Sequence, residues 1–148
     1  MQGPKLNMDT DARKALNRYM ATSFIETGTL TTTFGKASFV QPYIEKLVTK
    51  AKTNDLTATR FLTSRLYSRD AVEKVMKTIA PKFVGRSGGY TRLIKLGFRS
   101  GDSAPLGRLE WVESFEPKAK QATKKANKPD KVAKKALPAK VKVKKDAK

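Results

Sequence analysis

The chain has 148 residues, 32 Lys plus Arg against 13 Asp plus Glu, a formal net charge of +19, and neither Cys nor His. A field of that sign attracts polyanions, while the missing Cys and His exclude disulfides, thiolate nucleophiles, Ser/His/Asp triads and ordinary zinc sites. No run of roughly 18 apolar residues exists to span a bilayer, and no apolar stretch follows a charged start, so nucleic acid is the expected partner, with no membrane, small-molecule substrate or cofactor. The opening MQGPKLNMDTDARK contains acids and lacks the Arg-rich character of a transit peptide, which makes the cytoplasm the expected compartment.

In chain order, Asp9 to Thr27 places Ala12, Leu16, Tyr19, Met20 and Phe24 along one helical face, with Asp9, Thr10 or Asp11 at its start and Gly28 as its stop. Arg13, Lys14 and Arg18 fall elsewhere on that helix and form a basic patch that reads either as a solvated face or as an RNA contact. Thr29 to Phe34 is short and β-branched, which predicts a strand. Ala37, Val40, Ile44, Leu47, Val48 and Ala51 then keep helical spacing, and Pro42 must start a new helix or kink this one. Asn54 or Asp55 caps a further helix through about Leu66, and Ser68 or Asp70 another through Ile79, which Pro81 stops. Thr91 to Phe98 and Leu106 to Val112 read as two strands joined by a long hairpin. The order helix, strand, three helices, two strands predicts an α+β fold of two layers, a small mixed sheet with helices packed on one face.

Phe83 to Pro105, FVGRSGGYTRLIKLGFRSGDSAP, sets Arg86, Arg92, Lys95 and Arg99 among five glycines, with Asp102 as its one acid. Glycines let backbone approach an anion and arginines fix it with planar, bidentate donors. The segment lacks both the GxxxxGK[ST] and GxGxxG spacings, so a mononucleotide loop is not indicated. Tight turns alone would explain Gly85, Gly88 and Gly89 but need no cations, whereas phosphates fit both the Arg fork and backbone donors. Tyr90 reads either as a base-stacking residue or as packing at a strand start. Asp102, Glu110 and Glu113 are the acids near this segment, and Glu110 and Glu113 alternate across a strand, so they do not share a metal ion.

Charge divides the chain near Glu116 and Pro117. Residues 117–148 hold 13 Lys, no Arg and 2 Asp in an Ala/Lys/Pro low-complexity run, expected to be disordered unless RNA-bound. Residues 1–116 are expected to form one globular domain. Such a tail binds any polyanion, so a histone-like, non-specific DNA-binding protein is the alternative reading.

RSGGYTR at Arg86 to Arg92, LIKLGFRSGDSAP at Leu93 to Pro105 and LEWVE at Leu109 to Glu113 resemble the bacterial large-subunit ribosomal protein family L-seventeen. RKAL at Arg13 to Leu16, TTTFGKA at Thr31 to Ala37 and YIEKLVTKAK at Tyr43 to Lys52 follow the same family in the same order, so the resemblance covers nearly all of residues 5 to 115. It implies the α+β order derived above, no catalysis, and a place on large-subunit ribosomal RNA near the peptide exit tunnel, beside neighbouring large-subunit proteins. The RNA-binding residues it implies, together with the basic patches, are Arg13, Lys14, Arg18, Arg60, Arg86, Ser87, Gly88, Gly89, Tyr90, Arg92, Lys95 and Arg99. Two departures stand out: Lys5 is the only cation before Arg13 where the family carries a strongly basic arm, and Thr59 precedes Arg60 where the family pairs arginines.

Overall fold

The computed structural model describes residues 5–113. The boundary at Glu116 and Pro117 and the lysine-rich run beyond it lie outside those residues. Helix α1 spans Thr10–Thr27 and ends where Gly28 turns left-handed at φ 86° and its N–H donates to the Phe24 carbonyl, a conformation that costs glycine little. Strand β1 is Thr29–Thr33 and helix α2 Phe34–Ala51. Pro42 lies inside α2 without ending it. Burial of Val40, Ile44, Leu47, Val48 and Ala51 along one side of α2 offsets the hydrogen bond that the proline lacks.

Helix α3 spans Leu56–Arg65, and the Asp55 carboxylate accepts from the Leu56 N–H at 2.7 Å. Helix α4 begins at Arg69–Lys74 under a Ser68 cap, widens into a π turn at Val75–Ile79 and finishes in the helical turn Ala80–Lys82. Pro81 therefore does not stop this helix as expected. It sits in the turn just after the π segment, where the Ala80 N–H already reaches back to the Val75 carbonyl, and a widened turn gives the ring room that a regular helix would not.

Strands β2 (Thr91–Phe98) and β3 (Pro105–Trp111) form the expected hairpin. The α+β class and the element order agree with the sequence, but the sheet is not mixed: its order is β1-β3-β2 and both pairings are antiparallel. The hairpin fixes β3 against β2, and β1 enters on the free edge of β3 in the opposite sense, with Leu30 beside Leu109. Gly107, Leu109 and Trp111 are buried while Arg108 is exposed and Leu106 and Glu110 are half-buried, the alternation of a sheet covered on one face.

The covered face and the helices enclose one core, in which Phe24 and Phe83 flank Trp111 at ring distances of 4.5 and 5.9 Å, and Tyr90 lies 5.1 Å from Phe83. Helix α1 contributes Met20, Ala21, Phe24 and Ile25, with Leu16 packed at the margin. Its apolar face is narrower than expected, because Ala12 and Tyr19 point outward and Tyr19 is 69% exposed. Tyr19 precedes Met20 by about 100° of helical rotation, enough to carry it off the buried stripe. Polar ties position the layers: Thr91 donates to Glu45, Gln41 donates to the Thr91 carbonyl, and Lys74 donates to the Glu26 carbonyl at 2.8 Å.

Candidate nucleic-acid interface

Four basic features are carried by this frame. The first is the glycine turn between α4 and β2. Gly89 takes φ 63°, and the Arg86 side chain folds back over the turn, its Nε donating to the Gly88 carbonyl at 2.9 Å. From beneath, Lys52 at the end of α2 donates to the Arg86 carbonyl at 2.6 Å, and the Tyr90 hydroxyl donates to the same oxygen at 3.3 Å. Ser87, Gly88 and Gly89 are thereby presented at the surface on a fixed backbone, with Arg86 exposed beside them. Polar backbone beside a cation that makes no ion pair among the described residues suits a phosphate oxygen.

Tyr90 is not part of that surface. It is fully buried, with its ring against Phe83 and Lys52 5.6 Å from the ring centre, so of its two readings packing at the strand start holds, and its place among the RNA-binding residues is corrected to that of an anchor. The hydroxyl explains how a tyrosine is tolerated there: Thr49 and Lys52 donate to it and it donates to Arg86, which satisfies the polar tip of an otherwise apolar ring.

The second feature is the open face of the sheet. In register, Arg92 stands opposite Glu110 and Ile94 opposite Arg108, while Thr29 and Thr31 flank Glu110 and Arg108 on the other side. Glu110 lies 3.7 Å from Arg108, whereas Arg92 is exposed and has no hydrogen-bond or ion-pair partner among the described residues. Arg108 escaped the sequence reading, although strand alternation beside Leu109 already puts it on this face. Lys95 belongs to the other side, above the Phe34 ring at 5.5 Å.

The third is the hairpin tip. Arg99 grips Asp102 with two bonds, Nε to Oδ1 at 2.9 Å and a terminal nitrogen to Oδ2. This guanidinium holds the Asp102 carboxyl down at about pKa 2, helped by the Ala104 N–H. The pair braces a loop that also has an Arg99 N–H to Ala104 carbonyl bond of 2.8 Å. Arg99 thus serves its own loop with the fork expected to meet RNA, and Phe98, 76% exposed next to it, is the more available flat face.

The fourth lies on the opposite end of the chain's order, across α1, α2 and α3. Thr22 donates to the Arg18 carbonyl at 2.7 Å and accepts from the Tyr67 N–H at 3.2 Å, which brings the Tyr67 ring to 4.3 Å from the Arg18 guanidinium. Lys14 is exposed and paired with Asp11, and Arg13 reaches Thr10. Tyr43 donates to the Arg65 carbonyl at 2.9 Å, and burial pushes its hydroxyl pKa up despite the nearby Arg65 and Arg18. Arg65 rests 5.4 Å from the Phe61 ring, and Arg60 is exposed on the same helix. The sequence patch Arg13, Lys14, Arg18 is therefore joined by Arg65, Tyr43 and Tyr67, residues that only the tertiary fold brings near.

Among the described residues no helix is long and apolar enough to cross a membrane. A family model described as "Ribosomal protein L17" matches residues 16–112, which takes in most of α1, every later element through β3, and three of these four features in full. Proteins named "Large ribosomal subunit protein bL17" are similar over most of their length: one from Orientia tsutsugamushi (strain Boryong) is 42% identical over 82% of this chain and 84% of its own. Another, from Pelagibacter ubique (strain HTCC1062), is 40% identical over 88% of this chain and 90% of its own, and one from Bdellovibrio bacteriovorus (strain HD100) reaches 48% over 72% and 59%. The match over residues 16–112 and these relatives show that the chain belongs to the ribosomal protein L17 family, as a structural, non-enzymatic constituent of the large ribosomal subunit.

Proposed function

We propose that the protein binds and consolidates folded large-subunit ribosomal RNA near the peptide exit tunnel of a cytoplasmic ribosome, beside neighbouring large-subunit proteins. The observation that carries the reading is Arg92, a solvent-facing arginine without a partner among the described residues, set on a strand that leads out of the Arg86 to Gly89 turn. Cations held on fixed backbone neutralise phosphates and release counterions, and each contact adds roughly 0.7 to 0.9 to the slope of log affinity against log salt. Arginines on shaped backbone select folded RNA, where the fork and the flat face both matter. The lysines of residues 117–148 act as a diffuse counterion that raises affinity without choosing the site.

The test compares the full chain and a variant lacking residues 117–148 on large-subunit ribosomal RNA and on duplex DNA of equal phosphate count, across a salt series. The truncated protein is expected to bind more weakly but keep its preference for the RNA. Equal binding of both nucleic acids by the truncated protein would overturn the assignment of specificity to residues 1–116 and favour a histone-like reading.

A further inference from the structure

Between α1, α2 and the end of α3 lies a cavity of about 530 Å³ lined by Lys14, Asn17, Arg18, Tyr43, Ser64 and Arg65. Three of these six side chains are cationic and none is acidic. Two polar atoms at this site are unusual. Asn17 Oδ1 and Arg18 Nε are both buried without a hydrogen-bond partner in the described structure, although buried polar atoms nearly always find one. One is an acceptor that lacks a donor and the other a donor that lacks an acceptor. A ligand that offers both an anionic oxygen and an N–H or O–H group relieves them together.

Size and shape narrow that ligand. An inorganic phosphate would satisfy Arg18 but leave most of the cavity empty. A base-paired helix is too wide to enter. An unstacked nucleotide carries a phosphate, hydroxyls and base N–H donors in one unit, and single-stranded or bulged nucleotides are the parts of RNA that proteins read on aromatic and guanidinium planes. The walls already have that character: the Arg18 guanidinium is stacked on Tyr67, and Tyr43 forms one side with its hydroxyl tied to the Arg65 carbonyl.

We propose that this cleft seats one unstacked nucleotide of the bound RNA, with its phosphate on Lys14, Arg18 and Arg65 and its sugar or base edge donating to Asn17 Oδ1. The inference rests on RNA being the partner, but the cleft is separate from the glycine turn and the hairpin in residues and in chemistry. It assigns roles to Asn17, Tyr43, Ser64 and Arg65, which the sequence pattern did not single out.

Titration of the isotopically labelled full chain with uridine and adenosine 5′-monophosphates, followed by NMR, tests it. Saturable shifts are expected at the Asn17 side-chain amide and at the Ser64 and Arg65 backbone amides. Ser64→Tyr fills the cleft from an exposed position whose hydroxyl bonds only to its own helix at Phe61, and is expected to weaken the titration at least about tenfold without changing the melting temperature. Asn17→Leu is a second variant that removes the side-chain carboxamide, and the acceptor with it, at similar side-chain size, and both variants are expected to weaken binding to large-subunit ribosomal RNA about tenfold. Shifts confined to residues 85–99, an identical response to inorganic phosphate alone, or unchanged RNA affinity in both variants would each overturn the cleft. Failure of the native chain to bind ribosomal RNA while the mononucleotides still titrate Asn17 would instead overturn the ribosomal-RNA reading and leave the cleft standing.

Discussion

The glycine turn with its hairpin and the cleft between α1, α2 and α3 are both basic, yet they hold their arginines in opposite ways. In the first region the guanidiniums bond to their own chain: Arg86 to the Gly88 carbonyl, Arg99 to Asp102. In the second they lie on rings, Arg18 on Tyr67 and Arg65 near Phe61, while Arg18 Nε and Asn17 Oδ1 are left unpaired. The first arrangement fixes backbone so that a turn keeps its shape whether or not a polyanion is present. The second fixes the plane of the cation and leaves its donors to a ligand. A count of arginines therefore says little about how many forks are free, and Arg92 is the arginine of the glycine-rich segment whose guanidinium makes no bond at all among the described residues.

The sharpest break between anchoring and contact is at Tyr90. If it anchors the turn from within the core, Tyr90→Ala removes a fully buried ring and costs about 3 to 5 kcal/mol of stability, measured by denaturant unfolding. Tyr90→Phe, which keeps the ring and loses only the hydroxyl bonds, should cost about 0.5 to 1.5 kcal/mol. Weakened RNA binding at unchanged stability would return Tyr90 to the RNA surface.

The next contrast sets Arg92 against Arg99. Loss of a charge-assisted phosphate bond costs about 1.5 to 3 kcal/mol, so Arg92→Gln should weaken RNA binding by roughly tenfold to a hundredfold and lower the salt slope by roughly 0.7 to 0.9. Arg99→Gln should change that slope less, because its fork already meets Asp102. Equal slopes for the two variants would mean that the Asp102 pair opens on binding. On the cleft side, Tyr67→Ala removes the ring under Arg18 from a position that is 57% exposed, and should cost only about 0.5 to 1 kcal/mol. A larger loss of stability would show that Tyr67 supports the fold and not merely the plane of the guanidinium.

The parts of this molecule that sequence conveys are those fixed by near neighbours. Gly28, Asp55 and Ser68 punctuate helices through bonds to residues at most four positions away, and the alternation of Gly107, Leu109 and Trp111 marks the covered face of the sheet. Pro81 misled because the π turn before it depends on how Val75 and Ile79 fit the core. The sheet was expected to be mixed because sequence does not say on which edge, or in which sense, Thr29–Thr33 joins a hairpin formed some 60 residues later. Tyr90 was open between two readings for a related reason: an aromatic residue inside GRSGGYTR can stack on a base or pack inward, and what holds its hydroxyl inward is Thr49 and Lys52, which lie 41 and 38 residues earlier. Lys52 itself had a weak local signal, a cation just past a buried helix end in the YIEKLVTKAK match. The cleft had none, since Asn17, Tyr43 and Ser64 come from three helices and share no motif.

The smallest expected effect concerns the hairpin pair and is read against pH. The Asp102 carboxyl is lowered from 3.8 to about 2, chiefly by its bond to Arg99 and then by the Ala104 N–H. A folded-state pKa below the unfolded one means that the pair's contribution is fully present above the unfolded value and fades as pH falls toward the folded one. The melting temperature of the native chain should therefore exceed that of Asp102→Asn by a constant, small margin above about pH 4, and the margin should close between about pH 4 and about pH 2. Both groups are solvent-facing, with side chains 55% and 52% exposed, so screening by salt should narrow the margin as well. A margin absent at every pH would assign the loop's rigidity to the Arg99 N–H to Ala104 carbonyl bond instead, and Arg99 would then be as open to phosphate as Arg92.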